Sequence, residues 1–143
     1  MNIREAVVSD IEGIMQLEQG SIVHPWERNE FELLIADEKK LCLVAEDEGK
    51  VIGYIGAETV LDECNIGNIV TAEECRGRGI GTSVMNALMN ELKNREILKV
   101  FLEVESDNAP ALALYDKTGF ERYGLRRDYY GRGMDAVLMC KEL

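Results

Sequence analysis

Basic residues are in short supply in this chain: 16 Lys and Arg stand against 27 Asp and Glu, a formal net charge of −11. That deficit disfavours direct contact with nucleic acid, whose phosphates the carboxylates would repel. It suits a cationic acceptor, or simply keeps the protein soluble. Metal ligands are equally sparse. The four cysteines, Cys42, Cys64, Cys75 and Cys140, contain no Cys-x-x-Cys pair, and His24 is the single histidine. No metal site is expected, and the cysteines read as reduced thiols, mostly small core residues. No apolar run approaches the length of a membrane span, and Met1-Asn2-Ile3-Arg4-Glu5 lacks the apolar core of a signal peptide. A cytoplasmic address with no membrane partner is the resulting expectation.

What remains is an ordinary globular composition, with 46% hydrophobic and 30% charged residues over 143 positions. It predicts a single domain over residues 1–143, without a linker or an internal repeat. Asn2 to Ala6 reads as a short strand. Ser9-Asp10-Ile11-Glu12 has the form of a capping box, and Ile11, Ile14, Met15 and Glu18 follow at helical spacing as far as Gln19. Past His24-Pro25-Trp26, a second helix runs from Glu30 to Ala36 with Phe31, Leu34 and Ile35 on one face. Leu41 to Asp47 and Val51 to Val60 form a hairpin around Glu48-Gly49, and Cys64 to Thr71 is a further strand.

Val84, Met85, Leu88, Met89 and Leu92 make one apolar stripe in a helix from Thr82 to Asn94. Leu98 to Glu105 alternates, with Val100, Leu102 and Val104 on one face and Phe101, Glu103 and Glu105 on the other. This strand, turn, helix and strand succession predicts a right-handed parallel crossover. Asn108 is an N-cap for a fourth helix carrying Ala111, Leu112, Leu114 and Tyr115 and stopped by Gly119. The tail holds a strand from Phe120 to Leu125, a loop around Tyr129-Tyr130-Gly131-Arg132-Gly133, and a last strand from about Ala136 to Cys140. The fold class is α/β, a mixed central sheet of about six or seven strands flanked by about four helices.

One turn carries chemistry. In Arg76-Gly77-Arg78-Gly79-Ile80-Gly81-Thr82 the alternate glycines permit unusual backbone angles, so that successive N–H groups can converge on an anion. The turn opens a helix whose free N–H groups and dipole also favour a pyrophosphate, with Arg76 and Arg78 able to add charge. Thr82 stands where a dinucleotide fingerprint wants its third glycine, and no Gly-Lys-Ser/Thr completes a P-loop, so neither NAD nor ATP is indicated. From spacing alone, a plain flexible turn remains an equal reading.

Arg76, Gly79 and Gly81 following a strand resemble the acetyl-CoA motif of the GNAT acetyltransferases. Leu102-Glu103-Val104, Asn108, Ala111-Leu112-Ala113-Leu114-Tyr115 and Gly119-Phe120 are similar to that family's second signature. Within the family, Pro25-Trp26 with Phe31, Asn68-Ile69 and Arg126-Arg127-Asp128-Tyr129-Tyr130 resemble the RimI-type enzymes, which acetylate the N-terminal alanine of a small-subunit ribosomal protein. Gly67 departs from the pattern, being smaller than the bulky residue expected there.

The resemblance implies acetyl-CoA as co-substrate and direct transfer, without a metal, to a ribosomal-protein N-terminus. It implies that Glu103 is the general base, directly or through a water, and Tyr115 the general acid. Backbone groups of Ile69, Val70 and Thr71 would bind the pantetheine arm as an added strand. Arg76 and the amides of Gly77, Arg78, Gly79, Ile80, Gly81 and Thr82 would hold the pyrophosphate, and Asn108 would touch the pantetheine end. Trp26, Arg127, Tyr129 and Tyr130, placed in loops, are the candidate clamp for the acceptor. Read without the resemblance, Glu103 is a solvent-facing strand residue, Tyr115 a packing residue and Asn108 an N-cap. Another protein N-terminus, a lysine or a small amine is the alternative acceptor, and an acyl-CoA-sensing module the alternative without catalysis.

Overall fold

The computed structural model describes residues 1–19 and 25–143; His24 lies outside them. A sheet of seven strands runs through the molecule in the order β1-β2-β3-β4-β5-β7-β6. Its strands are β1 (Asn2–Glu5), β2 (Lys40–Asp47), β3 (Lys50–Val60), β4 (Glu63–Thr71), β5 (Lys99–Glu105), β6 (Glu121–Gly131) and β7 (Met134–Glu142). Four helices accompany them: α1 (Ile11–Glu18), α2 (Arg28–Ala36), α3 (Ile80–Asn94) and α4 (Ala109–Lys117). Among the described residues only β4 and β5 pair in parallel, joined by α3.

Each helix follows from its apolar stripe. On α3, Val84, Met85, Leu88 and Leu92 are fully buried and pack with Leu41, Leu43, Ile55, Val100 and Leu102 of the sheet. Tyr115 of α4 and Phe120 close the same core. A second core holds Ile11 and Ile14 of α1 and Phe31 and Leu34 of α2 against Cys42, Val44, Tyr54 and Val70. Cys42, Cys64 and Cys75 are buried free thiols, as the sequence suggests, and Cys140 is half-buried.

The start of α1 differs from the expected capping box on Ser9. A 3-10 turn, Val8–Asp10, precedes the helix. Asp10 turns inward, accepting from the Val7 N–H at 2.8 Å and from both terminal nitrogens of Arg4 at 2.7 and 2.9 Å. A carboxylate that meets a two-pronged guanidinium gains more than one that caps in solvent. The helix therefore starts on a tie to β1, whose Arg4 also reaches Glu46 of β2 at 2.8 Å.

The tail differs as well. The segment expected to be a loop is the end of β6, so Arg127, Tyr129 and Tyr130 belong to a strand. Pairing with β7 slips by one residue at Tyr123, continues to Arg126 opposite Ala136 and resumes at Gly131 opposite Met134. Between these points Arg127 to Tyr130 face Asp135 alone, a wide bulge with Asp128 at a φ of 56°. The displaced backbone is satisfied by side chains: Asp135 accepts from the Asp128 N–H at 2.9 Å, and Asp128 from the Gly133 N–H at 2.7 Å.

Candidate functional site

The sheet opens in its middle. β4 pairs with β5 only over Glu63 to Asn65 opposite Lys99 to Phe101. Beyond Asn65 the two strands part, so Ile69, Val70 and Thr71 have no ladder partner on the β5 side. A bulge marks the same stretch, because Gly56 pairs with Asn68 while Ala57 pairs with Ile66, leaving Gly67 over. Gly67 is where a bulky residue was expected, and its place is filled from outside. A Cβ there would lie 3.5 Å from the Trp26 ring, which also packs on Phe31 with centroids 5.5 Å apart. Trp26 is half-buried at this point.

At the far end of β4 lies the glycine turn, and its three glycines serve different purposes. Gly77 and Gly79 sit at φ of 82° and 77°, with nothing within 4 Å of a Cβ at either, so conformation and not space demands glycine. Gly79 caps α3, which is why the helix starts at Ile80, two residues before the position the sequence suggests. Gly81 instead lets α4 come close: a Cβ there would meet Leu114 Cδ2 at 3.2 Å. Among the described residues no backbone N–H from Gly77 to Thr82 donates to a main-chain carbonyl, the first ladder bond being Ser83 N–H to Gly79 O at 3.0 Å. Six amides are thus left for an anion, at a helix end with no acidic residue in its first turn. Arg78 leans back to Asp47 at 3.4 Å, whereas Arg76 is exposed.

Across the opening, Glu103 stands on the face of β5 away from the α3 core, opposite Leu138 of β7. Its side chain is 39% exposed, with Arg126 Nη1 3.9 Å from Oε1. The Arg126 guanidinium lies 5.2 Å from the centre of the Tyr129 ring, and the Tyr129 and Tyr130 rings meet edge to face at 5.0 Å. Hydrogen bonding to Glu103, then the charge of Glu103, raises the pKa of the Tyr129 phenol. Burial, followed by the charges of Glu103, Tyr129 and Glu105, pushes Tyr130 up to about 12. Tyr115 is raised by burial first and by Tyr130 second. Glu103, Arg126, Tyr129 and Tyr130 thus meet on one face across β5 and β6, and Tyr115 of α4 is buried in the α3 core against Phe120, with ring centroids 5.9 Å apart. Asn108, for its part, caps α4 by accepting from the Ala111 N–H at 3.2 Å.

Two features were missed in the sequence. The first is Arg126, the basic residue beside Glu103; Arg127, the candidate acceptor contact, is exposed and forms no ion pair among the described residues. The bulge at 127–130 breaks the alternation that would have distinguished them. The second is Glu18, fully buried at the end of α1, with Asn68 Nδ2 donating to its Oε2 at 3.3 Å. Its position in the α1 apolar stripe was the available signal.

The sequence matches the Acetyltransferase (GNAT) family over residues 11–120. It is 31% identical to the ribosomal protein bS18-alanine N-acetyltransferase of Salmonella typhimurium over 135 residues, 92% of this chain and 90% of that protein. The enzyme of the same name from Escherichia coli K12 is 31% identical over 136 residues, with the same coverage. In three dimensions the fold is similar to the crystal structure of the Escherichia coli ribosomal-protein-S18-alanine N-acetyltransferase. The TM-score is 0.89 at 29% identity, covering 99% of this chain and 92% of the other. It is similar also to Ard1 from Thermoplasma volcanium, with a TM-score of 0.91 at 27% identity, covering 99% and 97%. With an open β4–β5 junction, a glycine turn of free amides and a family match over most of the chain, this protein belongs to the GNAT acetyltransferase family.

Proposed function

We propose that the protein transfers the acetyl group of acetyl-CoA directly to the N-terminal alanine of a small-subunit ribosomal protein. The observation that carries this reading is the sheet opening, which has free amides at one end and Glu103 with Arg126 and Tyr129 on β5 and β6 beyond it. The bS18-alanine N-acetyltransferases to which the chain is similar over nearly its whole length support the choice of acceptor.

In this reading Arg76 and the amides of Gly77 to Thr82 hold the pyrophosphate, and the positive φ of Gly77 and Gly79 gives the cradle its backbone course. The free edge of Ile69, Val70 and Thr71 takes the pantetheine arm as an added strand, with one N–H polarising the thioester carbonyl. Asn108 adds a contact near the pantetheine end while it caps α4. The acceptor lies between Trp26 and the β6 bulge, where Tyr129, Tyr130 and Arg127 line its path.

An α-amine has a pKa of about 7.7–8.0 and must lose a proton before it attacks. Glu103, directly or through a water, takes that proton as the amine nitrogen bonds to the carbonyl carbon. The C–S bond then breaks and the sulfur receives the Tyr115 proton. A phenol whose pKa is raised by burial is fully protonated at neutral pH, so the donor is always loaded; the transfer proceeds because thiolate departure and protonation are coupled in place.

A turnover assay with acetyl-CoA over short peptides differing in their first residue, run beside lysine peptides, polyamines and aminoglycosides, tests the acceptor. Preference for N-terminal alanine supports the proposal. Turnover of small amines alone discards it, and binding of acetyl-CoA without CoA release for any amine favours a sensing module.

A further inference from the structure

Glu18 is a carboxyl that the transfer chemistry leaves unused, and it is sealed from solvent. Burying such a group among uncharged neighbours is costly, and an aliphatic side chain would continue the α1 stripe of Ile11 and Ile14 without that cost. What surrounds it is a junction of four segments. Glu18 ends α1. Asn68, the residue after the β4 bulge, donates to Oε2 at 3.3 Å. Tyr54 of β3 places its hydroxyl near the carboxyl, and Trp26 stands on the approach to α2, linked to Tyr54 through the Phe31 ring. Glu18 Oε1 and Tyr54 Oη have no hydrogen bond of full geometry among the described residues. The contacts continue outward, since Tyr54 meets the Phe31 ring at 6.0 Å, Phe31 meets Trp26 at 5.5 Å, and Trp26 covers Gly67.

We propose that Glu18 is the positioning residue of the acceptor side. By holding Asn68 beneath the ring stack Tyr54, Phe31 and Trp26, it locks the β4 bulge against the indole that covers Gly67. Two surfaces are thereby set relative to each other: Ile69 to Thr71, which follow Asn68 directly, and the Trp26 ring over Gly67. The inference rests on the reading of Trp26 as an acceptor contact. It goes beyond that reading in giving the register between the two substrates to a residue that touches neither.

The test compares Glu18→Leu, Glu18→Gln and Asn68→Ala with the parent protein. Glu18→Leu keeps the volume and removes both acceptors, whereas Glu18→Gln keeps an acceptor for Asn68 and offers Tyr54 a donor. Trp26 is the single tryptophan, so emission wavelength and acrylamide quenching report its placement without any substrate. Kinetics use whichever amine the parent turns over fastest. In Glu18→Leu and Asn68→Ala the emission shifts to the red, quenching increases, and the acceptor KM rises about tenfold or more with the acetyl-CoA KM within about twofold. Glu18→Gln restores all three. Parent-like emission and acceptor KM in Glu18→Leu overturn the proposal, or in Asn68→Ala should the leucine variant not fold; a glutamine variant as impaired as the leucine one overturns it too. Loss of alanine preference in the peptide panel overturns only the acceptor reading, because the fluorescence comparison stands without it.

Discussion

Glu103 and Glu18 are carboxyls on the two sides of one sheet opening, and they are housed in opposite ways. Glu103 is open to solvent, next to the Arg126 cation and the Tyr129 phenol. Glu18 is sealed at the end of α1 with Asn68 donating to it, and burial raises its pKa above the ordinary 4.5. A carboxyl that an incoming amine can reach can exchange protons with it. A sealed one can only hold its neighbours still. The comparison separates chemistry from placement within a few residues of sheet.

The sharpest way to break it is Glu103→Gln, which should lower turnover by about 10²–10⁴-fold while acetyl-CoA binding and melting temperature stay put. Tyr115→Phe should lower turnover comparably, since the hydroxyl is lost and the ring packing on Phe120 at 5.9 Å is kept. Parent-like turnover in both variants would remove Glu103 and Tyr115 from the mechanism, whatever the acceptor.

The next effect is on stability. Asp10→Asn should cost about 1–3 kcal/mol at neutral pH, because Arg4 loses a charged two-pronged partner. Hydrogen bonding from Arg4 lowers the Asp10 pKa below its ordinary 3.8. Its contribution is therefore present above that value and lost as pH falls through the folded-state pKa, so parent and variant melting curves should converge in acid.

Glu18 reverses that sign. A carboxyl with a raised folded-state pKa contributes most below its ordinary 4.5 and loses that contribution as pH rises. Thermal melts should thus show Glu18→Gln gaining on the parent protein between pH 4 and pH 7, taken roughly as the unfolded and neutral limits. A flat difference across that range would mean that the carboxyl is not sealed as described. The smallest effect belongs to Arg126→Ala, whose exposed pair with Glu103 is worth about 0–1 kcal/mol in denaturant unfolding.

The elements legible in the sequence are those whose causes are local. The α3 stripe and the hairpin at Glu48-Gly49, with φ of 51° and 79°, need no distant partner. The glycine turn was legible as a helix entrance, but the separate duty of Gly81 depends on Leu114 from α4. The full length of β6 was hidden because Asp128 and Asp135 satisfy its bulged backbone across the hairpin. Glu18 could be seen standing in an apolar stripe, yet its partner Asn68 is 50 residues away. The opening between β4 and β5 is written in neither strand, since it is a property of where they separate.

The strand order has a consequence in time. Past Phe101, β5 loses β4 and is held through β7, with Glu103 opposite Leu138. The segment bearing the proposed base therefore waits for residues far behind it in synthesis. Until β7 arrives, the Glu103 edge has no ladder partner past Phe101 among the described residues, and the α3 core lacks Val137 and Met139.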